Sequence, residues 1–108
     1  MHIIGNKRIP FRGFQAINLF GIVFARRECL PLSAVTINHE KIHTQQMREL
    51  AFFPFYLLYV AEWMFKSIRR RSFRQGYLSI SFEREAYANQ EDLSYLEKRK
   101  RWGFVKYM

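Results

Sequence analysis

The chain has 108 residues, 49% hydrophobic and 18% aromatic, which is apolar material for one compact core and too little length for two, so residues 1–108 should form a single domain. Eighteen Lys and Arg against nine Asp and Glu leave a formal net charge of +9, a balance that suits nucleic acid, anionic lipid or an acidic partner. The single cysteine, Cys29, excludes a disulfide-stapled scaffold, and three prolines and five glycines exclude a collagenous chain.

Near the N-terminus, charge and Pro10 interrupt every apolar run before it reaches signal-peptide length, so the expected compartment is the cytoplasm. Phe14 to Arg26 is rich in aromatic and β-branched residues, with Gly13 before it and Gly21 inside it, and predicts one or two short strands or a hairpin. Glu28 to Ser33 reads as a loop, and Ser33 or Thr36 is the candidate cap of a helix running to about Phe53. Pro54 suits the first turn of a second helix that carries Phe55 to about Ile68. Ser67 to Gly76 then reads as a basic connector and Tyr77 to Ile80 as a short extended segment. Ser81 is the candidate cap of a third helix from Phe82, which breaks near Glu91 and Asp92 and resumes to about Arg101. The sum is a mainly helical α+β fold, with a short N-terminal β-hairpin or small sheet and three to four helices.

His39-Glu40-Lys41-Ile42-His43 is an HExxH pattern, and no proline or glycine falls between Ser33 and Pro54 to break its helix. One helical turn brings both imidazoles to one face, so their ring nitrogens can reach a single zinc ion while Glu40 addresses a water at its edge. A catalytic zinc normally keeps three protein ligands. In the longer metzincin pattern a glycine and a third histidine follow, at positions held here by Gln46 and Glu49. Without the glycine the helix continues, and Glu49 turns about 240° around the axis from His43, away from the metal. Glu83 and Glu85 are the other candidates. Two residues apart is about 200° on a helix, so only one can face the ion. Glu83 is favoured, because Ala86 and Tyr87 share its face and the small Ala86 permits close approach to the first helix. Glu85 is the runner-up.

The combination of His39-Glu40-x-x-His43 with Glu83-x-x-Ala86 resembles the gluzincin metallopeptidases, in particular the heat-shock and prenyl-protein peptidases with their Glu-x-x-Ala-Asp motif. It is closer still to small bacterial proteins called minimal gluzincins, which carry a His-Glu-x-x-His-x-x-Gln helix and an Asn-Pro-x-Glu-x-Glu-Ala segment. The likeness runs from about Thr36 to Asn89. It implies a zincin-like minimal domain in which His39, His43 and Glu83 bind zinc and Glu40 is the general base. Tyr87 stands where the peptidases have aspartate, and Ile80-Ser81 stands in place of Asn-Pro.

A zinc-bound histidine donates its other ring proton to a fixed acceptor, so something must replace that aspartate. Glu62, the lone acid of the apolar helix, and Gln46, three residues past His43, are the candidates. Tyr87 or Tyr77 could donate to a developing oxyanion, and by analogy with zincins the strand around Ile17 to Ala25 could align an extended peptide. Leu50 to Phe65 is apolar but interrupted by Pro54 and Glu62, short of the roughly 20 residues that span a membrane. Lys66, Arg69, Arg70 and Arg71 follow at once, so an interfacial helix on anionic lipid competes with a plain core helix. The run Lys98-Arg99-Lys100-Arg101 fits a solvated helix end. Three functions follow: a zinc peptidase acting on peptide or protein substrates, a noncatalytic zinc protein, or a basic module for a membrane surface, partner protein or nucleic acid. Nucleic acid is the least favoured, because the aromatics gather in the apolar helix and do not interleave with the arginines.

Overall fold

The structure, a computed structural model, describes residues 2–9 and 14–108; Pro10 and Gly13, used above as breaks, lie outside them. Strands β1 (His2–Asn6), β2 (Ala16–Leu19) and β3 (Ile22–Arg26) form one sheet in the order β1-β3-β2, with β3 parallel to β1 and antiparallel to β2. Phe20 and Gly21 join β2 to β3, both with positive φ (55° and 91°), the conformation whose twist matches a two-residue hairpin. Tyr56 holds Phe20 in that turn, its hydroxyl accepting the Phe20 N–H at 2.8 Å and its ring lying 5.1 Å away. β1 was not expected from the sequence, since Gly5 and its largely exposed side chains give no alternating pattern.

Five α-helices follow among the described residues: α1 (Ala34–Glu49), α2 (Phe53–Arg70), α3 (Phe73–Leu78), α4 (Ser81–Asn89) and α5 (Tyr95–Lys98). Ser33 caps α1, its hydroxyl accepting the Thr36 N–H at 3.1 Å. The helix ends at Leu50, ahead of two positive-φ residues, Ala51 and Phe52. Pro54 sits in the first turn of α2, where its missing N–H is no loss.

The expected connector and extended segment at 67–80 are instead the end of α2 and the whole of α3. Ser72 caps α3 by accepting the Gln75 N–H. Gly76 acts here as a point of close approach and not as a breaker, because a Cβ there would lie 2.6 Å from the Ser67 backbone of α2. α3 therefore packs flat along α2, and it is the helix added to the expected three or four.

Ser81 lies inside α4 and does not cap it; the N-cap, Ile80, makes no side-chain bond. Glu62 of α2 does the capping from outside, its Oε1 accepting from the Ser81 N–H (3.0 Å) and hydroxyl (2.7 Å). A carboxylate suits the positive end of a helix, and this one fixes where α4 begins.

Met47, Phe55, Ile80, Phe82 and Phe104 form the main buried cluster, each large side chain contributing about 1.5–3 kcal/mol by leaving water. Val23, Ala25 and Leu32 seat the sheet, and Ile42, Ala86 and Tyr95 seat α4 on α1. No helix among the described residues is long and apolar enough to cross a membrane.

Candidate metal centre

α1 and α4 meet through Ala86, which is fully buried against Ile42, and this close approach brings Glu83 over the face that carries His39 and His43. All three side chains are buried. Glu83 Oε1 lies 3.1 Å from Nε2 of each histidine, and the two Nε2 atoms are 3.1 Å apart. The three atoms make an equilateral triangle.

The outward ring nitrogens decide what those inward atoms are. His39 Nδ1 lies 2.8 Å from Gln90 Oε1, and His43 Nδ1 lies 2.8 Å from Gln46 Oε1. Gln46 is oriented by its own amide, which donates to the Phe82 carbonyl (3.1 Å) and to Glu85 Oε1 (2.9 Å). Both Nδ1 atoms therefore carry protons, and in the neutral rings both Nε2 atoms turn lone pairs toward a carboxylate oxygen. Three acceptors converge with no donor among them, an arrangement that asks for a proton or a metal ion. A triangle of 3.1 Å edge is small enough that all three atoms could hold one divalent ion at ordinary ligand distances. The donor set fits a divalent ion of nitrogen and oxygen preference.

Electrostatics agree with that geometry. Burial raises the Glu83 carboxyl, but the two imidazoles more than offset it and hold it well below the usual carboxylate range. Burial lowers His43, yet Glu83, with a smaller push from Glu40, takes it up to about 9. The other Glu83 oxygen accepts from the Tyr59 hydroxyl at 2.5 Å. Burial and the Glu83 charge push the Tyr59 phenol up, so it remains a donor.

Glu40 is buried on α1 beside the triangle. Burial pushes its carboxyl up, opposed by the two histidines and reinforced by Glu83. Its side chain makes no hydrogen bond among the described residues, whereas its backbone carbonyl is held by the Asn18 amide at 3.0 Å. Tyr87 packs edge-on against His39 at 4.6 Å. Its half-exposed hydroxyl meets that of Tyr77 at 3.3 Å.

Three expectations change. Glu85, the runner-up ligand, is fully buried but turned away, bound to Arg99, Tyr95 and Gln46. Glu62 supports α4 and pairs with Lys66 at 2.8 Å, and so supports no histidine. Arg99 is no solvated helix end, since its side chain is 2% exposed and bridges Glu85 and Glu49. Glu49 indeed faces away from the triangle, as the helical angle requires. Tyr59 and Gln90 escaped sequence analysis because each reaches the site from a segment whose placement depends on the tertiary fold.

A scan against protein-family models and searches of curated proteins and of solved structures give no match to this chain. The gluzincin likeness therefore rests on the short motifs quoted above.

Gln90→Leu, which removes the acceptor of His39 without touching the main core, is expected to weaken metal affinity by about 10–100-fold. Competition against a chromophoric chelator measures this, and unchanged affinity removes Gln90 from the site.

Proposed function

We propose that the chain is a zinc-dependent hydrolase of peptide bonds, with His39, His43 and Glu83 as ligands and Glu40 as general base. The observation that supports it is the convergence of three acceptor atoms at 3.1 Å with a buried, elevated carboxyl on the same helix. A purely structural zinc site has no use for that carboxyl. Zinc, when bound, supplies Lewis-acid polarisation and a more acidic water. Glu40 takes the proton of the attacking water and returns it to the leaving amine, a task that favours a pKa above the ordinary carboxylate value. Gln46 and Gln90 keep both rings in the Nδ1–H tautomer, and Tyr59 holds Glu83. Tyr87 and Tyr77 place hydroxyls at the rim, where one can donate to an oxygen that gains charge.

A noncatalytic zinc protein is the second reading, and one observation favours it. β2 is an outer strand, but the Tyr56 hydroxyl bonds the Asn18 carbonyl at 3.2 Å and takes the Phe20 N–H. The edge that would align an extended peptide is partly taken.

Elemental analysis of protein purified without chelator, followed by calorimetric titration with zinc and assay on a quenched peptide library, tests both. About one zinc per chain is expected. Binding at neutral pH should release protons, because His43 titrates near 9 in the metal-free state and zinc takes only the neutral ring. Apparent affinity therefore falls as pH falls. No zinc after supplementation overturns the whole reading; zinc without turnover leaves the noncatalytic one.

A further inference from the structure

α2 is apolar on its outer face as well as its inner one. At 100° per residue, Phe55, Tyr56, Tyr59 and Trp63 face the core, and Glu62 and Lys66 share that side, where they pair with each other and bond Ser81 and the Ser79 carbonyl. Phe53, Leu57, Val60, Met64, Phe65 and Ile68 face outward and are 47–77% exposed. Pro54, Leu58 and Ala61 fill the rest of that arc and are exposed too, so it carries no charged side chain until Arg69. A surface helix ordinarily turns charged and polar side chains outward, and an apolar patch of this extent marks an interaction face.

The charges beyond the patch identify what lies against it. Arg69, Arg70, Arg71 and Arg74 are all exposed at its C-terminal end, and Lys66, Arg69, Arg70 and Arg84 line one open hollow there with no carboxylate side chain among the lining residues. Phe73, 78% exposed, stands among these cations. An apolar stripe bordered by arginines matches an apolar phase edged by phosphates. A second copy matches poorly, since each chain carries +9 and face-to-face pairing brings like charges together. The stripe from Phe53 to Ile68 is about 24 Å long, less than the roughly 30 Å of a hydrocarbon core, and the inner face is bonded to α4. The helix can lie along a bilayer but not cross it.

We propose that the outward face of α2 and the adjoining arginines seat this protein on an anionic membrane surface, with α2 half-sunk in the interfacial plane. The seat is independent of the metal site and of its chemistry.

Co-sedimentation of the full chain with phosphatidylcholine vesicles, with and without about one-quarter phosphatidylglycerol, tests it. Binding to the anionic vesicles is expected, weakening at about 0.5 M salt as the charges are screened. Leu57→Glu with Met64→Glu should lower the partition at least about tenfold, and Arg70→Glu with Arg74→Glu should do so by a similar factor. All four side chains point to solvent, so circular dichroism of both variants should match the parent, and Glu40→Gln should bind like the parent. Three results overturn the assignment: a parent protein that stays in the supernatant at every lipid concentration, an apolar-face variant that binds as well as the parent, or a lipid-free dimer that the same variant dissolves, which gives the face to a second copy.

Discussion

Glu40→Gln is expected to lower turnover by about 10²–10⁴-fold, the usual contribution of a general base, while zinc content stays at the parental level. Glutamine keeps the shape of the side chain and the helix, and the three ligand atoms are untouched. The substitution also removes one of the negative charges that raise His43, so competition by protons weakens and zinc is held at least as well. The pH dependence of the parent follows from the same burial. A base must be ionised to act; burial raises Glu40 in the metal-free site and a bound cation lowers it, so activity should climb with pH as Glu40 ionises. Parental turnover in Glu40→Gln would falsify the hydrolytic assignment. Loss of zinc together with turnover would make Glu40 a structural residue.

Arg99→Met should destabilise the fold by about 3–5 kcal/mol, because it leaves two buried carboxylates without their cation. Arg99 donates from Nη1 and Nη2 to Glu49 at 2.8 and 3.1 Å and from Nε to Glu85 at 2.5 Å. The side chains of Glu49 and Glu85 are only 4% and 0% exposed. In the parent, burial raises the Glu85 carboxyl, but its bonds to Arg99, Tyr95 and Gln46 outweigh burial and hold it below 4.5. That contribution is present at neutral pH and is lost as pH falls through the depressed value. Without Arg99 the cation that lowers Glu85 is gone while its burial stays, so the deficit of the variant is largest at neutral pH and shrinks in acid. Urea denaturation at two pH values measures both effects. Adding Glu49→Gln and Glu85→Gln to the variant should recover part of the loss. A deficit under about 1 kcal/mol would mean that the pairs act like exposed ones.

What the sequence disclosed follows the range of the interaction. His39, Glu40 and His43 were legible because four residues close one helical turn, and Gln46 because it sits one turn further on the same helix. Glu83 stood out from Glu85 through the small Ala86 beside it, a packing cue that needs no knowledge of the other helix. Tyr59, Gln90 and Arg99 carried no such local signature; each matters only after α2, the α4–α5 break and the C-terminal segment have docked. Glu62 stood out as the lone acid of the apolar helix, but its partner is a helix terminus that composition does not point to. Gly76, read as the end of a connector, serves instead for close packing of α3 on α2.

The break between α4 and α5 carries one further consequence. The Asn38 amide of α1 reaches across to the carbonyls of Gln90 at 2.8 Å and Asp92 at 3.0 Å. A five-residue interruption between two short helices would ordinarily keep much of its conformational entropy. Here one side chain, buried on the helix that carries both histidines, removes that freedom as the chain folds. Gln90 stands beside His39 in the folded chain, and little ordering would remain to be done if an ion bound. Such a site should capture metal by simple encounter, at a rate governed by access and not by rearrangement.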